Sequence, residues 1–178
     1  IAACNEGGLI SGGSDGSISF WKDDLVLVDE AKAHDGWCWQ VISESGNTFF
    51  SIGSDGMLKK WSILDNKITL ALEFCVNHSG LRAIFVDNNN VWVGTEDGEI
   101  LHINTRKKLH TGIVREIMMH NGMLYTCGED GCVYSVNPEN YYAKLLTIHS
   151  DFATTIAIAG SQIYSGGYDG SIRVQCSG

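Results

Sequence analysis

The chain has 178 residues, 44% of them hydrophobic, and its 21 acidic and 12 basic residues give a formal net charge of −9. A chain of this length can bury a sizeable core, but its acidic balance disfavours nucleic-acid binding, which relies on basic patches that release counterions from phosphates. No apolar run approaches the ~20 residues needed to cross a bilayer, so we expect no membrane-spanning segment.

The first predicted elements flank the dipeptide Asp15-Gly16. Two β-capable runs joined through Asp-Gly predict a tight hairpin, because Gly tolerates the positive φ that such turns require. The predicted strands are Leu9–Ser11, Ser17–Trp21 and Leu25–Val28. The residues before Leu9 align with the interior of a strand in later segments, so we expect this first unit to be incomplete and the sequence to belong to a longer chain.

The segment that begins at His34 shows the pattern most fully. A strand precedes a hairpin across Asp55-Gly56, and another strand follows it. The predicted strands are Trp37–Ser43, Thr48–Ile52, Met57–Trp61 and Ile68–Phe74. This segment therefore predicts a unit of four short antiparallel strands in ~40 residues.

The same order returns three more times. The third unit has predicted strands at Leu81–Val86, Val91–Gly94 and Ile100–Ile103, the fourth at Ile113–Met119, Met123–Cys127, Val133–Val136 and Ala143–Ile148, and the fifth at Thr154–Ala159, Ile163–Ser165 and Ser171–Val174. The closing strand of the third unit, around Leu109, is poorly defined by its sequence. The fifth unit shows no fourth strand, so we expect it to be incomplete as well.

Two markers place these units in one register. Asp-Gly turns occur at Asp15, Asp55, Asp97, Asp130 and Asp169, which are 40, 42, 33 and 39 residues apart. His34, His78, His110 and His149 precede the last four aspartates by 21, 19, 20 and 20 residues. Such self-similarity indicates a repeat protein. We predict one domain, 1–178, with repeats at approximately 1–32, 33–76, 77–108, 109–147 and 148–178.

The cysteines do not follow the repeat. They are Cys4, Cys38, Cys75, Cys127, Cys132 and Cys176. Although Cys127 and Cys132 flank a turn and could face each other, the six do not have the spacing of a disulfide framework. We expect reduced thiols, which favour an intracellular and cytoplasmic setting.

These features resemble the WD40-repeat family of β-propellers over essentially the whole chain. The resemblance implies an all-β fold of four-stranded antiparallel blades, with five repeats visible and incomplete first and last blades. A family repeat has a His before its first strand, a Ser or Thr on the second, an Asp in the next turn and a Trp on the third. Because seven blades are common in the family, the resemblance also implies a propeller larger than five repeats.

The resemblance implies that these four side chains form a buried hydrogen-bond network in each blade. The second repeat supplies His34, Ser51, Asp55 and Trp61, the first Ser11, Asp15 and Trp21, the fourth His110, Thr126 and Asp130, the fifth His149, Ser165 and Asp169, and the third only His78 and Asp97. Val136 and Gln175 replace the Trp in the fourth and fifth repeats, and Val93 and Ile103 stand at the two lost positions of the third. Since an unpartnered buried polar group costs about 1–3 kcal/mol, such a set stabilises its blade only when it is complete.

A His with an Asp and a Ser also resembles a hydrolase triad. A catalytic site does not need one copy per blade, so the repetition favours a structural role, and we predict no catalytic residue and no enzyme. The histidines lack the close spacing of a metal site, and the turns lack the alternating acidic ligands of a calcium loop. Cys127 and Cys132 have no second ligand pair, so no metal or cofactor is predicted.

The family resemblance implies that partners bind the rim formed by the loops. The family's contact positions, three and five residues after the His and one before the Asp, correspond to Trp37, Trp39, Leu81, Ala83, Ile113, Arg115, Phe152 and Thr154, and to Ser14, Ser54, Glu96, Glu129 and Tyr168. Trp37 and Trp39 should share one face of a strand, because strand side chains alternate. Trp, Tyr and Arg are the residue types enriched in binding hot spots.

The predicted function is a non-catalytic scaffold that binds a protein or peptide. Glu96 and Glu129 on the rim favour a basic or amphipathic partner. The alternative is a propeller that binds a small ligand or carbohydrate in Trp-lined pockets between blades. A lectin-like propeller usually repeats its binding residues, whereas the Trp37 position does not repeat, which favours the protein partner. The incomplete end blades predict self-association or completion by further blades, because open sheet edges invite pairing.

Overall fold

The computed structural model describes residues 1–4, 8–22, 24–77, 79–87, 90–102 and 105–176. Within these ranges the chain is all β and contains no helix. The strands form five antiparallel sheets, and in each sheet the strands that follow one another along the chain are hydrogen-bonded neighbours. The prediction of an all-β fold built from four-stranded antiparallel blades is therefore confirmed.

The five sheets follow one another in the order of the predicted repeats, although the fourth sheet extends one residue past 147. The first contains β1 (Ala2–Ala3), β2 (Leu9–Gly12), β3 (Ser17–Lys22) and β4 (Val26–Lys32); the second β5 (Cys38–Ser45), β6 (Thr48–Gly53), β7 (Met57–Leu64) and β8 (Lys67–Cys75); the third β9 (Leu81–Asp87), β10 (Asn90–Thr95), β11 (Glu99–His102) and β12 (Thr105–Lys108). The fourth contains β13 (Val114–His120), β14 (Met123–Gly128), β15 (Cys132–Val136) and β16 (Ala143–Ile148), and the fifth β17 (Ala153–Ala159), β18 (Gln162–Gly167) and β19 (Ile172–Cys176). The first sheet thus has four strands, of which β1 is only two residues long, and three strands of the fifth are described.

The third sheet departs most from the predicted strands. Its outer strand β12 ends before Leu109, whose backbone N–H instead donates to the Gly98 carbonyl at 3.1 Å. Arg106 on β12 forms an ion pair with Glu99 on β11 at 3.2 Å. The hydrophobic pattern could not locate β12, because its four residues are polar or charged. The predicted end of β11 at Ile103 lies outside the described residues.

The Asp-Gly turns have the predicted geometry. At Gly56 φ is +73°, and a Cβ at this position would lie 2.0 Å from the Asn77 carbonyl oxygen. Both facts require glycine, because an L-residue is strained at positive φ and its side chain would collide with the backbone.

The chain divides into two compact units, residues 1–91 and 92–178. In unit 1 (1–91), the core includes Ile10, Ile18 and Phe20 of the first sheet and Val41, Phe49 and Trp61 of the second. In unit 2 (92–178), a core cluster joins Tyr125, Cys127 and Val133 of the fourth sheet to Ala153, Ile156 and Ile163 of the fifth. Each unit therefore buries apolar side chains between the faces of successive sheets.

Three outer strands carry a β-bulge. Val28 in β4, Ala71 in β8 and Leu146 in β16 are each the extra residue that has no partner on the neighbouring third strand. A bulge interrupts the regular row of backbone donors and acceptors along a sheet edge. These bulges protect exposed edges that would otherwise invite pairing with another chain.

All six cysteines are free thiols, as the sequence predicts, and Cys127 and Cys132 do not form a disulfide. Among the described residues, no helix is long and apolar enough to cross a membrane.

Candidate functional site

The second sheet holds the fullest hydrogen-bond network of the described repeats. His34 precedes β5, and its Nδ1 lies 2.9 Å from Asp55 Oδ1 while its Nε2 lies 2.8 Å from Ser51 Oγ. Trp61 Nε1 donates to the same Ser51 oxygen at 2.8 Å. Backbone N–H groups of Asp35 and Met57 donate to the Asp55 carboxylate at 3.0 and 3.1 Å. The network ties the loop before β5 to the hairpin between β6 and β7.

These contacts fix the protonation states. A neutral imidazole can donate from Nδ1 to the Asp55 carboxylate and accept at Nε2 from the Ser51 hydroxyl. Burial lowers the pKa of His34, and this outweighs the opposing effect of Asp55, so the ring is neutral at pH 7. Burial by itself would raise the pKa of Asp55, but hydrogen bonds from the N–H groups of Asp35 and Met57 and from His34 lower it overall.

The fourth and fifth sheets repeat the contacts of the His with the Asp and with the Ser or Thr. His110 Nδ1 lies 2.9 Å from Asp130 Oδ1, and its Nε2 lies 2.9 Å from Thr126 Oγ1. In the fifth sheet, His149 lies 3.1 Å from Asp169 Oδ1 and 2.8 Å from Ser165 Oγ. The Trp contribution is missing in both, and in the fourth sheet Tyr134 packs edge-on against the His110 ring with centroids 5.1 Å apart.

The first and third sheets contain fewer of the hydrogen bonds of this network than the second sheet does. Trp21 Nε1 donates to Ser11 Oγ at 2.8 Å, and the exposed Asp15 accepts the Ser17 N–H and hydroxyl at 3.0 and 2.7 Å. In the third sheet a buried valine, Val93, occupies the position of the Ser, so this position has no hydroxyl that could form a hydrogen bond.

The remaining members of the third set are His78, Asp97 and Ile103. His78 and Ile103 lie outside the described residues, while Asp97 is exposed and no described residue donates to its carboxylate. The hydrogen bonding of Asp97 among the described residues is therefore much poorer than that of Asp55.

A catalytic interpretation of the His34 network requires a nucleophile that a substrate can reach. Ser51 has no exposed surface, and its oxygen already accepts from Trp61 and bonds to His34. The arrangement can hold loops together, but its hydroxyl group is closed to a substrate. In the part of the chain that the structure describes, no three His, Cys, Asp or Glu side chains are grouped as metal ligands would be.

The network predicts that unit 1 loses stability as the pH falls. The unfolded chain protonates His34 near its ordinary pKa of ~6.5, whereas the folded chain, with a lowered pKa, resists protonation. Stability contributed by His34 is thus present above pH ~6.5 and lost as the pH falls through the folded pKa, and Asp55 adds a second loss below pH ~4. We expect the urea midpoint, followed by tryptophan fluorescence, to fall between pH 7.5 and pH 5.

A matched variant identifies the group responsible for this pH dependence. His34→Gln should be less stable at pH 7.5 and should lose most of the slope between pH 7.5 and pH 5. A wild-type midpoint that stays constant over this range would contradict the assignment.

Six of the predicted rim residues are joined in pairs by a backbone hydrogen bond. In each pair, the N–H of the residue before the turn Asp donates to the carbonyl of the residue before the inner strand. The pairs are Ser54 to Trp37 at 3.0 Å, Glu129 to Ile113 at 2.9 Å and Tyr168 to Phe152 at 2.9 Å. The first belongs to unit 1 and the other two to unit 2. The turn therefore positions two rim side chains at once.

In three inner strands, the second residue lies in a β-bulge. Trp39 in β5, Arg115 in β13 and Thr154 in β17 are each the extra residue opposite the second strand. A bulge redirects a side chain and ends regular pairing. Simple alternation is therefore not the reason that Trp37 and Trp39 lie together, since Trp37 precedes β5 and Trp39 occupies its bulge.

In unit 1, Trp37, Trp39 and Arg82 form a stack. The two indole centroids are 4.4 Å apart at 46°, and the Arg82 guanidinium carbon lies 3.4 Å from the centroid of Trp39. Trp37 is 50% exposed, whereas Trp39 is half-buried and its Nε1 has no hydrogen-bond partner among the described residues. Cation–π contact holds Trp39 in place behind the exposed Trp37 ring.

The structure corrects the rim assignment in the third repeat. Leu81 is fully buried and Ala83 is 1% exposed, so neither is a contact residue. Leu81 is the first residue of β9 and corresponds to Cys38, the buried first residue of β5. The reason is that Asn77, not His78, stands where the other repeats have their loop His: its N–H donates to the Gly56 carbonyl as the His34 N–H donates to the Gly16 carbonyl, so a count from His78 runs one residue too far.

Arg82 is the rim residue that this one-residue offset concealed. It follows Leu81 as Trp39 follows Cys38, and its guanidinium contacts the Trp39 ring. The spacing of 19 residues between His78 and Asp97, against 20 or 21 in the other repeats, is the signal that could have located it.

In unit 2, the rim contains an ion pair and an aromatic pair. Arg115 and Glu129 form a close ion pair, so their charges neutralise each other. Phe152 is 36% exposed and Tyr168 is 67% exposed, and their ring centroids lie 5.9 Å apart at 39°. Ile113 and Glu96 are half-buried.

Comparison with known proteins places the fold. No protein-family model matches the chain. The crystal structure of the WD40 β-propeller domain of Doa1 is similar with a TM-score of 0.83 and 23% identity, covering 96% of this chain and 60% of that chain. The computationally designed Ika8 protein is similar with a TM-score of 0.80 and 19% identity, covering 98% of this chain and 57% of that one.

A curated relative agrees with the structures. The F-box/WD repeat-containing protein mec-15 of Caenorhabditis elegans is 22% identical over 189 residues, which cover 93% of this chain and 47% of that protein. The chain thus spans about half the length of the curated relative it matches. These similarities and the five sheets show a WD40-repeat fold with four-stranded antiparallel blades.

Proposed function

We propose that this protein is a non-catalytic interaction scaffold that binds a protein or peptide through the rim described above. WD40 propellers generally present their loops to protein partners, and the fold supplies the rigid support that such recognition needs. The His-Asp networks hold the loops before the inner strands, and the rim side chains project from those loops. An intracellular setting is consistent with six free cysteines.

The half-exposed Trp37 carries this proposal. The Trp37 indole is 50% exposed and packs against the Trp39 indole, which in turn contacts the Arg82 guanidinium. Tryptophan anchors of this kind bury large area on binding at low cost in side-chain entropy, and they are enriched in hot spots. The stack is therefore preorganised for binding.

The chemistry of the rim favours a peptide with both apolar and basic side chains. Trp37 offers the apolar contact in unit 1, and the Phe152–Tyr168 pair offers aromatic surface in unit 2. The chain as a whole carries a formal charge of −9, which attracts basic partners. The rim positions differ from blade to blade, with Trp37, Ile113 and Phe152 at one of them, and this supports a protein partner over a repeated sugar.

Substitution of Trp37 tests the proposal. We expect Trp37→Ala to reduce the amount of specific partner that the tagged protein captures from cell extract, measured by quantitative mass spectrometry. Truncation of a hot-spot tryptophan costs about 2 kcal/mol or more, which is roughly a 30-fold loss of affinity. The melting temperature should change little, because half of the side chain is already in solvent.

Phe74 provides the matched control. It is 51% exposed on β8, the outer strand, which β6 and β7 separate from β5, so Phe74→Ala removes a similarly exposed aromatic from a different strand. Partners that are lost with Trp37→Ala and kept with Phe74→Ala support the rim. Equal capture by wild type and a folded Trp37→Ala variant would overturn it.

A further inference from the structure

We propose that the Phe152–Tyr168 pair is an arginine-binding site, in which the guanidinium of a partner's arginine lies on the exposed Tyr168 ring beside Asp151. The inference rests on the proposed scaffold function and names the side chain that this part of the rim recognises. Its test, however, does not depend on the identity of the partner.

The aromatic pair is ordered and accessible. The Tyr168 N–H donates to the Phe152 carbonyl at 2.9 Å, which holds the turn against the loop before β17. Phe152 supports Tyr168 at a centroid distance of 5.9 Å, and Tyr168 remains 67% exposed. An aromatic ring that is exposed to solvent and supported by a second ring offers a surface on which a planar ligand can stack.

The charges around the pair select a cation. Asp151 is exposed, and one of its oxygens accepts the Phe152 N–H at 2.7 Å, so its carboxylate is held beside the ring pair. Asp169 follows Tyr168, but its hydrogen bonds with Ser171 and His149 already use its oxygens, and they hold its pKa well below the usual range.

Two arginines of unit 2 already pair with carboxylates other than Asp151. Arg173 lies 3.7 Å from Asp169, and Arg115 forms its ion pair with Glu129. Asp151 forms no ion pair within the described residues, so it is the carboxylate available to an incoming cation.

The geometry favours arginine over lysine. The two rings are tilted by 39° and the Tyr168 side chain is 67% exposed, so the site offers an open aromatic face. A planar, weakly hydrated guanidinium stacks on such a face and can donate two parallel hydrogen bonds to a carboxylate. A compact, strongly hydrated ammonium gains less from a single open ring.

Two peptides that differ only in the charge of one side chain test whether the site requires a cation. The full chain is titrated with acetyl-Gly-Arg-Gly-amide and with the same peptide carrying citrulline, a neutral planar isostere of arginine. Carbon-13 ring signals of Phe152 and Tyr168 report binding, and the buried Tyr125 of the same unit is the internal reference. We expect saturable shifts at Phe152 and Tyr168 only, with the citrulline peptide about tenfold weaker.

Three variants separate the contributions. Tyr168→Phe should retain binding, Tyr168→Leu should lose it, and Asp151→Asn should reduce it severalfold. Equal binding of the two peptides, or shifts that do not distinguish Tyr168 from Tyr125, would overturn the inference.

The two proposals fail in different ways. Trp37→Ala should leave the arginine titration unchanged, because Trp37 belongs to the other unit. If capture depends on Trp37 while the titration is negative, only the arginine site is wrong. If the titration is positive while neither Trp37→Ala nor Tyr168→Leu changes capture, the scaffold function of the rim is wrong.

Discussion

Replacing Asp55 by alanine should destabilise unit 1 by about 2–3 kcal/mol, because the change removes the acceptor of the buried His34 ring and of two backbone N–H groups. The Asp55 carboxylate accepts from His34 Nδ1 at 2.9 Å and from the N–H groups of Asp35 and Met57 at 3.0 and 3.1 Å. His34 is only 1% exposed, so water cannot easily replace the lost carboxylate at its ring.

Asp97 supplies the control at the same point of the third repeat. It is exposed and receives no side-chain hydrogen bond from a described residue, so Asp97→Ala should change the unfolding free energy by about 0.5 kcal/mol or less. Urea unfolding followed by tryptophan fluorescence measures the Asp55 variant directly, since Trp21, Trp37, Trp39 and Trp61 all lie in unit 1. Equal losses in the two variants would show that the network does not stabilise the fold.

Replacing Gly53 by alanine should destabilise the same unit by about 3 kcal/mol, for a steric reason. A Cβ at Gly53 would lie 2.5 Å from His34 Cγ and Nδ1 and 2.8 Å from Asp55 Oδ1. The ring is held by hydrogen bonds on both nitrogens, so it cannot move aside without losing one of them. Gly128 and Gly167 leave the same space for His110 and His149.

A double-mutant cycle distinguishes this collision from a general intolerance of alanine. In a His34→Ala background the ring is gone, so adding Gly53→Ala should cost little, and the two changes should be strongly non-additive. Gly122→Ala is a second control, because its φ of +75° is strained but a Cβ there meets nothing within 4 Å. Additive effects of His34→Ala and Gly53→Ala would refute the proposed packing.

Most strands are predictable because their signals are local. An Asp-Gly pair favours a tight turn, and where β-capable apolar runs lie directly on both sides of it, they form the two strands of a hairpin. The His–Asp spacing also recurs across repeats, and the resemblance to the WD40-repeat family implies the pairing of His34 with Asp55. The outer strand β12 escapes prediction because Thr105–Lys108 has no apolar pattern; it is identified only by its pairing with β11.

The exposed residues of the rim can be identified only from the tertiary structure. Counting from His78 assigns Leu81 to the rim, yet Leu81 is the fully buried first residue of β9. Counting residues fixes a position along the chain, whereas burial depends on where the strand begins in space. For the same reason, counting does not find Arg82, which packs on the Trp39 ring.

The sequence alone determined the repeat, its turns and the polar residues that belong to each repeat, because all of these depend on residues close together or at a constant spacing. Only the tertiary structure decided which rim side chains reach solvent. Bulges at Trp39 and Arg115 redirect the chain, and the next residues, Gln40 and Glu116, accept the N–H groups of Ile84 and Ile156 on the following inner strands at 3.1 and 2.5 Å. Such contacts join residues about 40 positions apart, and no local pattern encodes them.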